Sequence, residues 1–258
     1  MNARNEDEWW KSFHVPEMAS LFLQRGNAAE LEETIAFLLG ELGLRPGDRV
    51  YDQCCGTGAL SLELAARGVS AVGADLCDDY VRRAKQVAAE KGADCDFHLA
   101  DAFEFVPTRP CHGAFNWYSS FGYSHCDGRN QQMFHRAYEA LLPGGRFAVD
   151  VPHLPGLLRG FQKHMVRHGQ ADGREILLVR ESRINLRDGL LEQLWSWHVE
   201  GRELRQRRSA LRLYLPHQIA DMLEACGFDD IRLFGSIRSE ELGLDSPRLI
   251  CTGRRPDR

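Results

Sequence analysis

Asp52, Gly56 and Gly58, with Asp75 further along, are the residues whose types and spacing carry most chemistry in this 258-residue chain. They belong to Asp52-Gln53-Cys54-Cys55-Gly56-Thr57-Gly58, which sits between the apolar Val50-Tyr51 and a helical pattern over 59–66. A strand, a glycine turn and a helix in succession let a ligand approach the backbone and meet a helix N-terminus. The next apolar run, 69–74, ends in Asp75, where a carboxylate can accept hydrogen bonds from both hydroxyls of a ribose. The dinucleotide fingerprint G-x-G-x-x-G is incomplete, because Ser61 stands at its third glycine. A pyrophosphate wants a dense set of backbone donors and no acid beside it, and Asp52 would repel it. The same carboxylate suits a cationic amino group. The unit points to an amino-acid nucleoside with a sulfonium, not to a nicotinamide dinucleotide.

Acceptor-side candidates are fewer. Tyr123, His125 and Asp127 follow one apolar run, and His153 follows the next. Further on, Trp195 and Trp197 share one face of a strand, as do Arg212 and Tyr214, so an aromatic wall with one Arg could bind an aromatic or carboxylate acceptor. The competing reading of those four is a hydrophobic underside packed on the main body. Ten histidines are present, and most are expected at the surface or satisfied in the core. Eight cysteines, with no C-x-x-C pair, are expected to be free thiols acting as small hydrophobes, with no metal site. Adjacent Cys54 and Cys55 should pack the turn rather than act as nucleophiles.

These side chains need elements to hold them. Residues 1–30 contain Trp9, Trp10, Phe13, Met18, Leu21 and Phe22, either a lid over a pocket or an apolar face on the domain edge. Helices are expected over 30–43, 78–91, 128–141 and 216–226, alternating with strands, which argues for a parallel sheet covered on both faces. After a fifth strand, 147–151, the pattern breaks. Runs 174–186, 190–199 and 202–215 read as three antiparallel strands joined by Arg187-Asp188-Gly189 and Glu200-Gly201. Two strands, 229–235 and 247–254, close the core. One domain over 1–258 is expected, with 1–30 as lead-in and 174–215 as an insert.

Several segments in order resemble one family. The loop 52–58 is similar to the first motif, acid-x-x-x-G-x-G, of class I S-adenosylmethionine-dependent methyltransferases of the bacterial small-molecule type. Phe97-His98-Leu99-Ala100-Asp101-Ala102 resembles the third-strand motif, and residues 115–123 resemble the fourth. Leu141-Leu142-Pro143-Gly144-Gly145-Arg146 and Cys226-Gly227-Phe228 resemble the turns before the fifth and sixth strands. Departures are Cys54, where a glycine is usual, and Gly113, where an acid usually opens the fourth strand. The resemblance implies a doubly wound, mainly parallel seven-stranded α/β sheet, Rossmann-like, with the three-stranded insert after strand five. It implies S-adenosylmethionine held by Asp52, Cys54, Gly56, Gly58, Asp75, Leu76, Asp101, Ala102, Asn116 and Trp117. Asp52 and Gly56 would face the methionine part, Asp75 the ribose, Asp101 with Ala102 the adenine, and Asn116 with Trp117 the sulfonium end. A helix cap is the alternative role for Asp101.

Composition limits the partners. Net charge is −5, and the one basic concentration (Arg202, Arg205, Arg207, Arg208, Arg212) is diluted by Glu200 and Glu203, so a nucleic-acid partner is not expected. No run reaches a membrane span, and the polar, acidic start is no signal peptide, so a cytoplasmic protein is expected. The expected activity is methyl transfer to N or O of a small-molecule acceptor by in-line displacement. A general base is needed only if the acceptor arrives protonated. Alternatives are another displacement on the same donor (cyclisation or aminocarboxypropyl transfer) and a catalytically silent donor-binding subunit. The insert is either a roof over the pocket or a packing element, including a homodimer interface.

Overall fold

The computed structural model of the protein describes residues 8–15, 28–171 and 174–257; Met18, Leu21 and Phe22 lie outside the described residues. A short helix α1 (Trp10–Phe13) and a longer α2 (Ala28–Leu42) precede the alternating core. That core runs β1 (Arg49–Gln53), α3 (Ala59–Ala65), β2 (Ser70–Asp75), α4 (Asp78–Lys91), β3 (Cys95–Leu99), β4 (Cys111–Asn116), α5 (Asp127–Ala140) and β5 (Leu141–Val151). After α6 (Leu154–Arg159) come four strands: β6 (His164–Ala171), β7 (Arg174–Asn185), β8 (Leu190–Val199) and β9 (Arg205–Arg212). Helix α7 (Pro216–Ala225), β10 (Asp229–Phe234) and β11 (Leu249–Arg254) complete the chain.

Seven strands form one sheet in the order β10-β11-β5-β4-β1-β2-β3. β1 to β5 are mutually parallel, and β11 runs antiparallel to both β5 and β10. Strand alternation sends neighbours to opposite faces. Tyr51, Val72 and Val149 enter one buried cluster with Phe134, Phe147 and Leu223. Val50, Ala71 and Ala148 enter the other with Ile35, Leu38 and Phe115. Both faces are therefore covered, as an all-parallel ladder requires. Strand order reverses between β1 and β4, which opens a crevice at their carboxyl ends.

The insert differs from expectation. It is a separate four-stranded antiparallel sheet, β6-β7-β8-β9, not three strands. β6 pairs only with β7 and reads His-Met-Val-Arg-His-Gly-Gln-Ala. An edge strand facing solvent needs no apolar alternation, so its polar composition hid it. The expected hairpins hold, with Gly189 and Gly201 at φ of 64° and 74°. Backbone bonds attach this sheet to the loop after β4: Arg212 N–H donates to Gly122 O at 2.7 Å. A Cβ on Gly122, at φ 91°, would lie 2.6 Å from Arg212 O, so glycine is required there. No helix among the described residues is long and apolar enough to cross a membrane.

Candidate active site

The loop after β1 is built on left-handed backbone. Gly56 and Gly58 have φ of 56° and 76°, and a Cβ on Gly58 would fall 2.5 Å from the Phe97 ring. Cys54 also has positive φ, 64°, so a side chain stands where the backbone favours glycine. Cys55 packs beneath the turn against Leu62, Val81 and Phe97 and fills the space above Gly73. Burial, with Asp52 and Asp75 nearby, pushes both thiols well above their ordinary range, so they stay protonated.

Asp75, at the end of β2, cross-links this loop. One carboxylate oxygen accepts Gly56 N–H and the other Cys77 N–H, each at 2.8 Å. A carboxylate has about four acceptor positions, so two remain for ligand hydroxyls. Asp52 is buried, and Ser61 Oγ donates to it at 2.7 Å. Burial pushes the Asp52 carboxyl up to about 7, against the pull of that hydroxyl and with a further push from Asp75. Ser61 thus has a positive role: it satisfies the acid, and its departure from the dinucleotide fingerprint is the sequence signal.

Two adjoining cavities open at the crevice. The smaller, about 80 Å³, is lined by Asp75, Leu76, Asp101, Ala102, Phe103 and Trp10 among others. Asp101 Oδ1 accepts Phe103 N–H at 2.9 Å, so it closes a side-chain turn with no helix after it, while also facing this cavity. The larger, about 270 Å³, has Asp52, Cys54, Gly56 and Trp117 on its floor and residues of the second sheet opposite. His14, Cys54, Tyr80, Ser120 and Tyr123 line both, so the two form one continuous site. Gly58 and Asn116 line neither. Gly58 supports the turn from behind, and the buried Asn116 amide donates to Gln53 Oε1 at 3.1 Å.

Of the eight acceptor-side candidates, Tyr123 and Trp195 line the cavities. His125 is exposed, and His153 is buried with Nδ1 2.8 Å from Ser246 O. The assignment of Arg212 and Tyr214 to an aromatic acceptor wall needs correction. Arg212 Nε and the Tyr214 hydroxyl both bond Asp127, at 3.0 and 2.9 Å, and Asn130 donates to Tyr214 Oη at 2.8 Å. Alternation turns Ser209 and Leu211 of β9 toward the cavity and Arg212 away. Trp195 lines the cavity, whereas Trp197 is buried in a cluster with Phe13, Ile176 and Leu178.

Other lining residues were not singled out from the sequence. His14 stacks on Tyr123 with ring centres 6.2 Å apart, and burial lowers its pKa despite Asp75, so the ring is neutral. Tyr118 and Ser119 both have left-handed φ, 59° and 62°. Asp150 holds them: its carboxylate accepts Tyr118 N–H at 3.0 Å and its carbonyl accepts Ser119 N–H at 3.1 Å. Arg248 clamps that buried carboxylate, with Nε 2.9 Å from Oδ1. An acid inside the apolar β5 was the available sequence signal.

Residues 50–145 match the methyltransferase domain family model. That stretch resembles a methyltransferase domain. Around it, the fold covers 93% of this chain and 96% of the CcbJ methyltransferase from Streptomyces caelestis, with TM-score 0.76 at 17% identity. It also matches the S-adenosylmethionine-bound CalS10, an amino pentose methyltransferase from Micromonospora echinaspora, with TM-score 0.71 at 15% identity over 94% and 97% of the chains. At these identities the likeness is one of fold. In sequence, 124 residues are 32% identical to the S-adenosyl-L-methionine-dependent Diels-Alderase iccD of Talaromyces variabilis. That match covers 46% of this chain and 41% of the fungal protein, so the chain spans less than half of that relative. The fold is that of these solved methyltransferases, and the side chains around the crevice fit S-adenosylmethionine. Asp52 can meet an ammonium at one end, Asp75 a diol, and the slot between Asp101 and Trp10 a purine.

Proposed function

We propose that the protein transfers a methyl group from S-adenosylmethionine to N or O of a small molecule. In this reading the chain acts as one catalytic unit, with residues 8–15 contributing to a lid and the four-stranded insert a roof. The observation that carries it is the continuous site from Asp101 to Asp52, closed on its far side by Arg180, Gln193 and Trp195. The bound donor supplies a methyl already activated by its sulfonium. The residues of the chain then have to bind, align and exclude water, which can supply ~7–11 kcal/mol of barrier reduction. Asp75 would hold the ribose and Asp101 the adenine edge. Asp52 would take the amino group, becoming ionised as it does so. Trp117 and the strained Tyr118–Ser119 turn lie where the sulfonium end would sit. The neutral imidazole of His14, at the junction of the two cavities, is suited to accept a proton from an ammonium or phenol acceptor.

An enclosed, roofed site favours a small acceptor over a nucleic acid, as does the net charge of −5. The eight cysteines are free, which suits a reducing cytoplasm. The similarity to a donor-dependent Diels-Alderase favours one second reading, in which the donor is held but not consumed and the roofed cavity folds a substrate on itself. Product analysis with candidate small metabolites separates them. S-adenosylhomocysteine with a methylated acceptor supports methyl transfer; methylthioadenosine indicates another displacement; intact donor beside a rearranged substrate supports the second reading.

A further inference from the structure

The lead-in brings a basic side chain to the middle of the site. His14 lines both cavities. Its backbone is tied to the segment after β2: Cys77 Sγ donates to His14 O at 3.8 Å, and the Tyr80 hydroxyl donates to Val15 O at 3.2 Å. Its ring lies among Phe13, Tyr80 and Tyr123, with centres 5.3, 6.0 and 6.2 Å away. Neither ring nitrogen has a hydrogen-bond partner among the described residues. Neither is sealed off, in contrast to the orphaned indole N–H groups of Trp10 and Trp117. A neutral imidazole has one nitrogen that donates and one that accepts, and burial keeps this ring neutral. The accepting nitrogen is open to a proton donor that fills the site.

Two observations narrow the chemistry of that donor. Among the described residues, the carboxylates lining the cavities are Asp52, Asp75 and Asp101, and the proposed function assigns all three to S-adenosylmethionine. A buried ammonium needs an anion to pair with, whereas a phenol is neutral and needs one acceptor for its O–H. The larger cavity also has apolar walls, built by Trp9, Phe13, Leu191 and Leu211 among others. Such walls suit an aryl ring, with the imidazole as the polar group that fixes its orientation.

We propose that the acceptor is a small phenol and that His14 is the catalytic residue that takes its proton. This rests on the methyltransferase reading and narrows it from N or O to an aryl oxygen. As the phenol oxygen bonds to the methyl carbon, the electron pair of the broken C–S bond stays on sulfur. The O–H proton passes to the accepting nitrogen of His14, and the imidazolium so formed releases it to solvent once the products leave. The products are an aryl methyl ether, S-adenosylhomocysteine and one proton.

Calorimetry on the full chain saturated with S-adenosylhomocysteine tests it, with 4-methylphenol against 4-fluorotoluene, which lacks the O–H. Protonated His14 has no acceptor, so the preference for 4-methylphenol should fall about two- to tenfold as pH drops through a value below ~6.5. Asp75, Cys77 and Tyr80 face His14 from β2 and the segment after it, and Cys54, Asp101 and Tyr123 from the loops after β1, β3 and β4. Asp52 and Arg180 share the larger cavity with it. The ratio of the two probes cancels what those groups do to both. His14→Phe should give the low preference at every pH, while saturation by S-adenosylhomocysteine shows that the variant is folded. The pH dependence of the unmodified protein decides alone if that variant does not fold. The proposal is overturned by absence of 4-methylphenol binding, by a ratio that does not change with pH, or by one unchanged in His14→Phe. It is also overturned if 4-methylbenzylammonium binds more tightly than 4-methylphenol, which would mark an amine acceptor. Failure of S-adenosylhomocysteine to bind the unmodified protein would instead remove the methyltransferase reading, and this assignment with it.

Discussion

At the residue scale, two carboxylates in the donor loop do different work because their surroundings differ. Asp75 stands at a strand end with both oxygens on backbone N–H groups, so it shapes the loop, and we propose that it also meets a diol. Asp75→Ala should weaken S-adenosylhomocysteine binding by ~1.5–3 kcal/mol for each charge-assisted bond lost, measured by calorimetry. An unchanged affinity would remove the ribose assignment. Asp52 is buried and raised to about 7. A ligand ammonium would draw that value down, so binding takes up the ionised form. S-adenosylhomocysteine affinity should be full above pH ~7 and fall as pH drops below it, by up to about tenfold per unit. Asp52→Asn should flatten that profile, and a flat profile in the unmodified protein would break the link to the amino group. The sign for folding is opposite. A carboxyl raised in the folded state holds its proton longer there, so its contribution to stability declines as pH rises from the ordinary carboxylate range towards 7. Cys54 carries a left-handed φ that costs a side chain about 1–2 kcal/mol. Cys54→Gly should therefore be folded and bind donor product, whereas Cys54→Val should lose stability in urea unfolding.

At the element scale, the turn after β4 is the strained part of the site. Two consecutive non-glycine residues in left-handed conformation persist only where neighbours over-determine them. Here the neighbours are Asp150 on β5 and Arg248 just before β11, whose guanidinium also lies over the Trp117 and Tyr118 rings at 5.7 and 5.6 Å. Removing one partner of a buried ion pair costs about 3–5 kcal/mol, and here the lost order sits beside the place we propose for the sulfonium end. Arg248→Met should lower stability and should lower kcat more than it weakens S-adenosylhomocysteine binding. Loss of binding with kcat retained would place the turn on the nucleoside side instead.

At the scale of the whole molecule, the second sheet is tied to the first fold by the Arg212–Gly122 backbone bond and, among the described residues, by two side-chain centres. One is the Asp127 cluster with Arg212 and Tyr214; the other is Trp9. The Trp9 indole N–H lies 3.2 Å from Tyr123 O and 3.1 Å from Ala210 O, so the lead-in, the turn after β4 and β9 meet at one side chain. Trp9→Phe keeps the ring contacts and removes those bonds. A net loss of about 1 kcal/mol would lower Tm by roughly 2–4 °C. Hydrogen exchange should rise in β9 and in residues 118–123 and stay unchanged in β1 to β3. Uniform loosening would show that Trp9 supports the whole fold rather than the roof.

Local pattern in the chain determined the half of this protein that we propose holds the donor. Parallel strands buried on both faces leave long apolar runs, and each ends in a polar residue at the crevice. Asp52, Asp75 and Asp101 were therefore visible as strand-end acids, and the helices that were expected fell within two residues of their bounds, whereas α6 was not foreseen. The acceptor half was decided by tertiary structure. Which face of β9 looks into the cavity depends on how the roof docks, and alternation alone could not distinguish Ser209 and Leu211 from Arg212. Arg180 and His14 carry no local signature, because they become site residues only when β7 and the lead-in fold over the donor loop. The edge strand β6 was hidden for the same reason: its stability comes from pairing with β7, not from any pattern of its own. Periodicity records burial, and a roofed cavity is made by the meeting of surfaces from distant parts of the chain.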